Sequence, residues 1–127
     1  MYYISRERYF KDLKRLTNRI KAHSNRFDLI CCIPRGGLFI GVYLSYKLDK
    51  PLVVFDSLQI KHYLKTARIL LVDELVDSGA TLQYVIKAFN THDFIPLISA
   101  LYLKNSLFSV VFALGGCYEF IEYARSL

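Results

Sequence analysis

The stretch Ile-Leu-Leu-Val-Asp-Glu-Leu-Val-Asp-Ser-Gly-Ala-Thr at 69–81 sets an apolar run, three carboxylates and a turn in a fixed order. Residues 69–72 read as a buried strand that delivers Asp73 and Glu74 at its carboxyl end. Carboxylates placed there suit ribose hydroxyls or a magnesium ion. Asp77 opens the turn Ser78-Gly79-Ala80-Thr81, which leads into a helix. Gly79 permits tight backbone geometry, and the turn with the helix N-terminus directs free N–H groups and the Ser78 and Thr81 hydroxyls to one point, which suits a phosphate. A second element, Pro34-Arg35-Gly36-Gly37, follows an earlier apolar run. Its adjacent glycines let backbone amides approach an anion closely, and Arg35 adds a planar donor fork. Alone, Arg-Gly-Gly is a common turn and Asp77 a common helix cap; the two elements gain meaning from standing one strand and one helix apart.

These residues must be positioned by regular elements, and the hydrophobic pattern supplies them. Ser5 can cap a helix whose apolar positions Tyr9, Phe10, Leu13, Leu16, Thr17 and Ile20 recur at three- and four-residue spacing. Its other face is basic through Lys11, Lys14, Arg15, Arg19 and Lys21, which suits solvent, RNA or an acidic lipid surface. Residues 27–33, 52–55, 68–73, 94–103 and 109–114 read as strands, and residues 38–47 and 80–90 as helices. Alternation of strand and helix predicts a parallel α/β sheet flanked by helices in one domain, 1–127. Ligands of such sheets bind beyond the carboxyl ends of the strands, where both elements above fall. Residues 57–67 have neither period and read as a mobile loop or a small hairpin.

Composition narrows the classes. Hydrophobic residues make up 54% of the 127, and only 22% are charged, which excludes a disordered chain. The three cysteines include an adjacent pair, Cys31 and Cys32, with neither a disulfide framework nor zinc-ligand spacing, as expected of a reducing cytoplasm. The N-terminus lacks the pattern of a signal peptide, and no run reaches the ~18 apolar residues of a membrane helix. A net charge of +6 favours an anionic partner without distinguishing nucleic acid, headgroups and phosphorylated metabolites.

The ordered motif at 69–81 resembles the signature of the type I phosphoribosyltransferases: an apolar strand, two acids, two apolar residues, then Asp, Thr or Ser, Gly, a small residue and Thr. Residues 32–38 resemble the same family's pyrophosphate loop. The resemblance implies the type I phosphoribosyltransferase fold with a short C-terminal hood, the cofactor Mg2+, and phosphoribosyl pyrophosphate and a purine base as partners, in a homodimer or homotetramer. It implies a metabolite in preference to nucleic acid, and no membrane partner. Asp73 and Glu74 would hold the ribose hydroxyls, directly or through the metal, Asp77, Ser78, Gly79, Ala80 and Thr81 the 5′-phosphate, and Arg35, Gly36 and Gly37 the pyrophosphate. Asp77 stands where purine-using members place the general acid/base near N7. Lys104 stands where 6-oxopurine transferases carry a lysine that donates to O6; an ammonium favours a carbonyl over the adenine amino group. Tyr118 is the expected aromatic stacked on the base, and Lys61, His62, Tyr63 or Lys65 would serve the closing loop. That loop lacks the family's usual Ser-Tyr pair, and the interval from Arg35 to Asp73 is shorter than in purine-salvage members. The implied activity is purine salvage from guanine, xanthine or hypoxanthine. Two alternatives are a nucleotide-sensing regulator that binds nucleic acid through the basic first helix, and a transferase with a non-purine acceptor.

Overall fold

A computed structural model describes residues 4–57, 59–63 and 67–127; the side chains of Tyr63, Phe108, Phe112 and Ala113 also lie outside it. The elements run α1 (Arg6–Lys21), β1 (Leu29–Cys32), α2 (Gly36–Leu48), β2 (Leu52–Val54), α3 (Ile60–Tyr63), β3 (Ile69–Val76), α4 (Ala80–Thr91), β4 (Leu97–Leu103), α5 (Leu107–Leu114) and β5 (Glu119–Ser126). A short 3-10 turn, Ser24–Arg26, precedes β1. All pairings are parallel, in the order β2-β1-β3-β4-β5.

Each strand feeds two cores because alternate side chains leave opposite faces of a sheet. In β1 and β3, Leu29, Cys31, Ile69 and Leu71 point to the layer that holds α4 and α5. Ile30, Cys32, Leu70 and Val72 point to Leu13, Leu16 and Ile20 of α1 and to Ile40 and Leu44 of α2. Burial on both faces explains why these strands read as continuous apolar runs. Growth of the sheet reverses between β1 and β3, which opens a crevice at their carboxyl ends.

Helix α1 begins as expected: the Ser5 hydroxyl accepts the Arg8 N–H at 3.1 Å. Part of its basic face has a structural partner. Arg19 donates to the Tyr123 carbonyl at 2.7 Å, and just beyond α1, Arg26 pairs with Glu119 at 2.6 Å. Both hold the helix against the edge strand β5.

Two assignments change. Residues 109–114 belong to helix α5 rather than to a strand, with the Ser106 hydroxyl accepting the Ser109 N–H at 3.3 Å. A short apolar run has no period that separates a strand from a buried helix; here the cap settles it. The fifth strand is β5, beyond the glycine pair Gly115 and Gly116. Residues 57–67 contain, where described, the helical turn α3 in place of a hairpin, anchored by buried Ile60. No helix among the described residues is long and apolar enough to cross a membrane.

Candidate active site

The crevice is built where β1 and β3 end. After β1, Ile33 donates to the Val72 carbonyl at 3.0 Å and Gly37 to the Ile33 carbonyl at 2.9 Å, so the loop turns directly onto β3. The Pro34–Arg35 peptide bond is cis. A Cβ on Gly37 would stand 2.6 Å from the Val72 carbonyl oxygen, closer than any side chain tolerates. One on Gly36 would meet Glu74 Oε2 at 3.1 Å. The glycines thus bring the loop against the two carboxylates, and Arg35 precedes them in the chain with an exposed side chain.

Asp73 Oδ1 accepts the Glu74 N–H at 2.8 Å. Burial, with a lesser contribution from the Glu74 charge, nevertheless pushes the Asp73 carboxyl up to about 6. Burial also raises Glu74. Two partly desolvated acids side by side at a strand end gain from a cation or from hydroxyl donors.

Beyond β3, Gly79 at φ 83° makes the left-handed turn that its residue type allowed. Ser78 Oγ accepts the Ala80 N–H at 3.3 Å, and α4 starts there. A cavity of about 270 Å³ lies over this turn, lined by Gly36, Asp73, Asp77, Ser78, Gly79 and Thr81 among others. It unites the two anion-seeking elements of the sequence with one carboxylate of the acidic pair.

Lys104 joins the site through strand register. Its N–H donates to the Val76 carbonyl at 3.0 Å, which aligns it with the residue after β3, and its Nζ lies 3.3 Å from Asp77 Oδ1. Both line a second cavity of about 420 Å³ with Ile4, Tyr9, Glu74, Leu75, Tyr102 and Leu127. The two cavities share Leu75 and Asp77.

Tyr118 is not there. It immediately precedes β5, whose first residue Glu119 pairs with Leu97 at the start of β4, so it lies at the end of the sheet opposite Lys104. Its hydroxyl donates to the Val111 carbonyl of α5 at 2.9 Å. The expectation placed it after the last strand, and it moved when that strand did. Lys61 and His62 are exposed on α3 and line neither cavity. Lys65 and the Tyr63 side chain fall outside the described residues.

The aromatic groups beside Lys104 are Tyr9 and Tyr102, which sequence reasoning missed. Tyr9 belongs to the inner stripe of α1; burial and then the Glu74 charge push its hydroxyl up to about 12. Tyr102 donates to buried Asp12 at 2.8 Å. A carboxylate on the apolar face of α1 and a tyrosine two residues before Lys104 were the signals available.

No family model and no curated protein matches the sequence; solved structures do. A purine phosphoribosyltransferase from Pyrococcus horikoshii superposes with a TM-score of 0.73 at 24% identity, over 99% of this chain and 87% of that one. A protein from Neisseria gonorrhoeae solved with bound ppGpp gives 0.72 at 17% identity, over 98% and 82%. The Helicobacter pylori xanthine-guanine-hypoxanthine phosphoribosyltransferase gives 0.71 at 22% identity, over 97% and 85%. Orotate and adenine phosphoribosyltransferases share the architecture. The chain has the type I phosphoribosyltransferase fold.

Proposed function

We infer that the protein is a magnesium-dependent phosphoribosyltransferase that moves the 5-phosphoribosyl group from phosphoribosyl pyrophosphate to a 6-oxopurine, releasing pyrophosphate. The observation that carries this reading is the meeting of the two cavities at Asp77. One is bounded by the phosphate turn and the glycine loop, and the other by tyrosines and an ammonium. The turn at 78–81 takes the 5′-phosphate, Asp73 and Glu74 accept the ribose hydroxyls, and Arg35 with the loop amides takes the pyrophosphate.

The acidic pair also fits Mg2+ shared with the substrate. Among the described residues no three acidic, histidine or cysteine side chains converge, so Asp73 and Glu74 would leave most positions to substrate oxygens and water, as this ion commonly requires. When bound, it supplies positive charge to the departing pyrophosphate.

As C1 of the ribose loses pyrophosphate, positive charge develops at the ring and Asp73 and Glu74 stand ready to stabilise it. The acceptor nitrogen then forms its bond to C1. A 6-oxopurine presents O6 and N7 side by side, and the Asp77–Lys104 pair presents a carboxylate and an ammonium side by side. Lys104 donates to O6 while Asp77 takes or returns the proton at N7. Tyr9 and Tyr102 wall the base from water and stand at the base cavity in place of Tyr118, the aromatic expected to stack there.

Asp77→Asn tests the assignment. Turnover of guanine, xanthine or hypoxanthine should fall by about 10²–10⁴-fold, whereas titration calorimetry should still register phosphoribosyl pyrophosphate. A variant at the wild-type rate refutes the proton-transfer role, and wild-type protein inert toward all three bases, adenine, uracil and orotate refutes the enzyme. The second outcome favours a nucleotide sensor, a reading supported by the ppGpp in the Neisseria structure.

A further inference from the structure

Helix α1 sets one carboxylate into an otherwise apolar stripe. Asp12 is 2% exposed on the face that also buries Leu13, Leu16 and Ile20, and a charged group placed there costs stability unless it is paired and hydrogen-bonded. Its partners come from three elements. Tyr102 of β4, held in register between Leu75 of β3 and Arg125 of β5, donates its hydroxyl to Asp12 Oδ2 at 2.8 Å. Arg125 brings its Nε to 3.4 Å of the same oxygen, and Arg8, one helical turn before Asp12, brings its Nε to 3.8 Å.

Tyr102 has a second neighbour. It walls the cavity of about 420 Å³ that holds Lys104 and Asp77, whereas Asp12 and both arginines line neither that cavity nor the one over the phosphate turn. Tyr9, the other aromatic of that wall, precedes Asp12 by three residues, which puts the two on one face of α1. One buried carboxylate outside the site thus ties both tyrosines to a common frame.

We propose that Asp12 is a positioning residue for the purine site: its bond to the Tyr102 hydroxyl draws that group into the α1 interior, so that the cavity wall presents ring carbon to the base. The proposal rests on the reading of this cavity as the purine site. Chemistry supplies the first argument. A phenol without that acceptor would seek partners among Glu74, Asp77 and Lys104, the ionisable groups of the cavity besides Tyr9, and each of them is needed by substrate. Stability supplies the second. Apolar residues of similar volume commonly stabilise an interior as well as a buried ionic cluster does, and here Arg125 Nε is buried without a hydrogen bond. The cluster is poorly made as a stabilising device and well placed as a tether.

The test is steady-state kinetics on Asp12→Ala, Asp12→Asn, Tyr102→Phe and the Asp12→Ala/Tyr102→Phe double variant, with the purine that wild type uses best. Asp12→Ala and Tyr102→Phe should each raise the KM for the purine about 10-fold or more. The KM for phosphoribosyl pyrophosphate and kcat should stay within about 2-fold, because the phosphate turn, Asp77 and Lys104 are untouched. Asp12→Asn keeps an oxygen that accepts the hydroxyl and should return the purine KM to within about 3-fold of wild type. Once Tyr102 is phenylalanine, Asp12→Ala should add less than about 2-fold, since the two variants remove the same bond. A merely structural carboxylate would instead raise both KM values, and by the same factor in either background; that result overturns the proposal. So does an unchanged purine KM in folded Asp12→Ala or, should that variant fail to fold, in Tyr102→Phe, with the purine reading intact in both cases. A wild type inert toward every purine overturns that reading, and this inference with it.

Discussion

Asp73→Asn should stabilise the unliganded protein while it weakens ribose binding. The Asp73 carboxyl is ordinarily near 3.8 and stands at about 6 in the fold, chiefly through burial. The folded state therefore holds the proton more tightly than the unfolded chain. A raised acid contributes stability that is complete below the unfolded value and is lost as pH rises through the folded one, so the wild type should weaken between about pH 4 and pH 6. At about 1.4 kcal/mol for each pH unit, the ceiling is about 3 kcal/mol. The side chain borders an open cavity and keeps the Glu74 N–H as donor, which reduces the expected gain to about 1–2 kcal/mol. An asparagine oxygen can still accept that N–H, and it carries no charge to desolvate. For a chain of this length the gain corresponds to a rise of roughly 3–8 °C in Tm. Scanning calorimetry of both proteins in chelator from pH 3.5 to about 7.5 should show the two Tm curves meeting at the acid end and separating as pH rises. Curves that stay parallel, or an asparagine variant less stable at neutral pH, would refute the reasoning that burial strains this carboxylate.

Two further outcomes follow from the geometry. Gly37→Ala forces a Cβ to within 2.6 Å of the Val72 carbonyl and 3.3 Å of the Asp73 Cα, both backbone atoms of a central strand, and should cost about 1–3 kcal/mol; an unchanged Tm would show that the loop can lift away from β3. Of the three thiols, Cys117 is exposed, whereas Cys31 and Cys32 are buried. Burial, then the neighbouring Cys32, pushes Cys31 up to about 12. Brief iodoacetamide treatment near pH 8 should therefore add a single label to the folded protein by intact mass, and full labelling should need denaturant; rapid double labelling of folded protein would contradict the burial of β1.

Much of the site was legible because its parts are local. Asp73 and Glu74 are adjacent, the turn at 78–81 spans consecutive residues, and Arg35-Gly36-Gly37 declares its tight turn by residue type. The first helix was likewise readable from its period and its serine cap. Residues 109–114 were not, because a short, wholly apolar segment fits a strand and a helix equally, and the error carried Tyr118 to the wrong end of the sheet. Tyr9 and Tyr102 come from elements that read as core, and nothing near them in sequence marks the cavity they share.

By itself the sequence determined an α/β chain with two anion-seeking loops and an acidic pair at a strand end, since each is encoded within a few consecutive residues. The tertiary structure decided which distant groups meet. Parallel register carries Lys104 past Val76 to Asp77, the reversal of the sheet between β1 and β3 opens the crevice, and α1 lays Tyr9 beside Glu74. Those meetings depend on strand order and helix placement, which arise from packing across the whole chain and leave no periodic trace in any one segment.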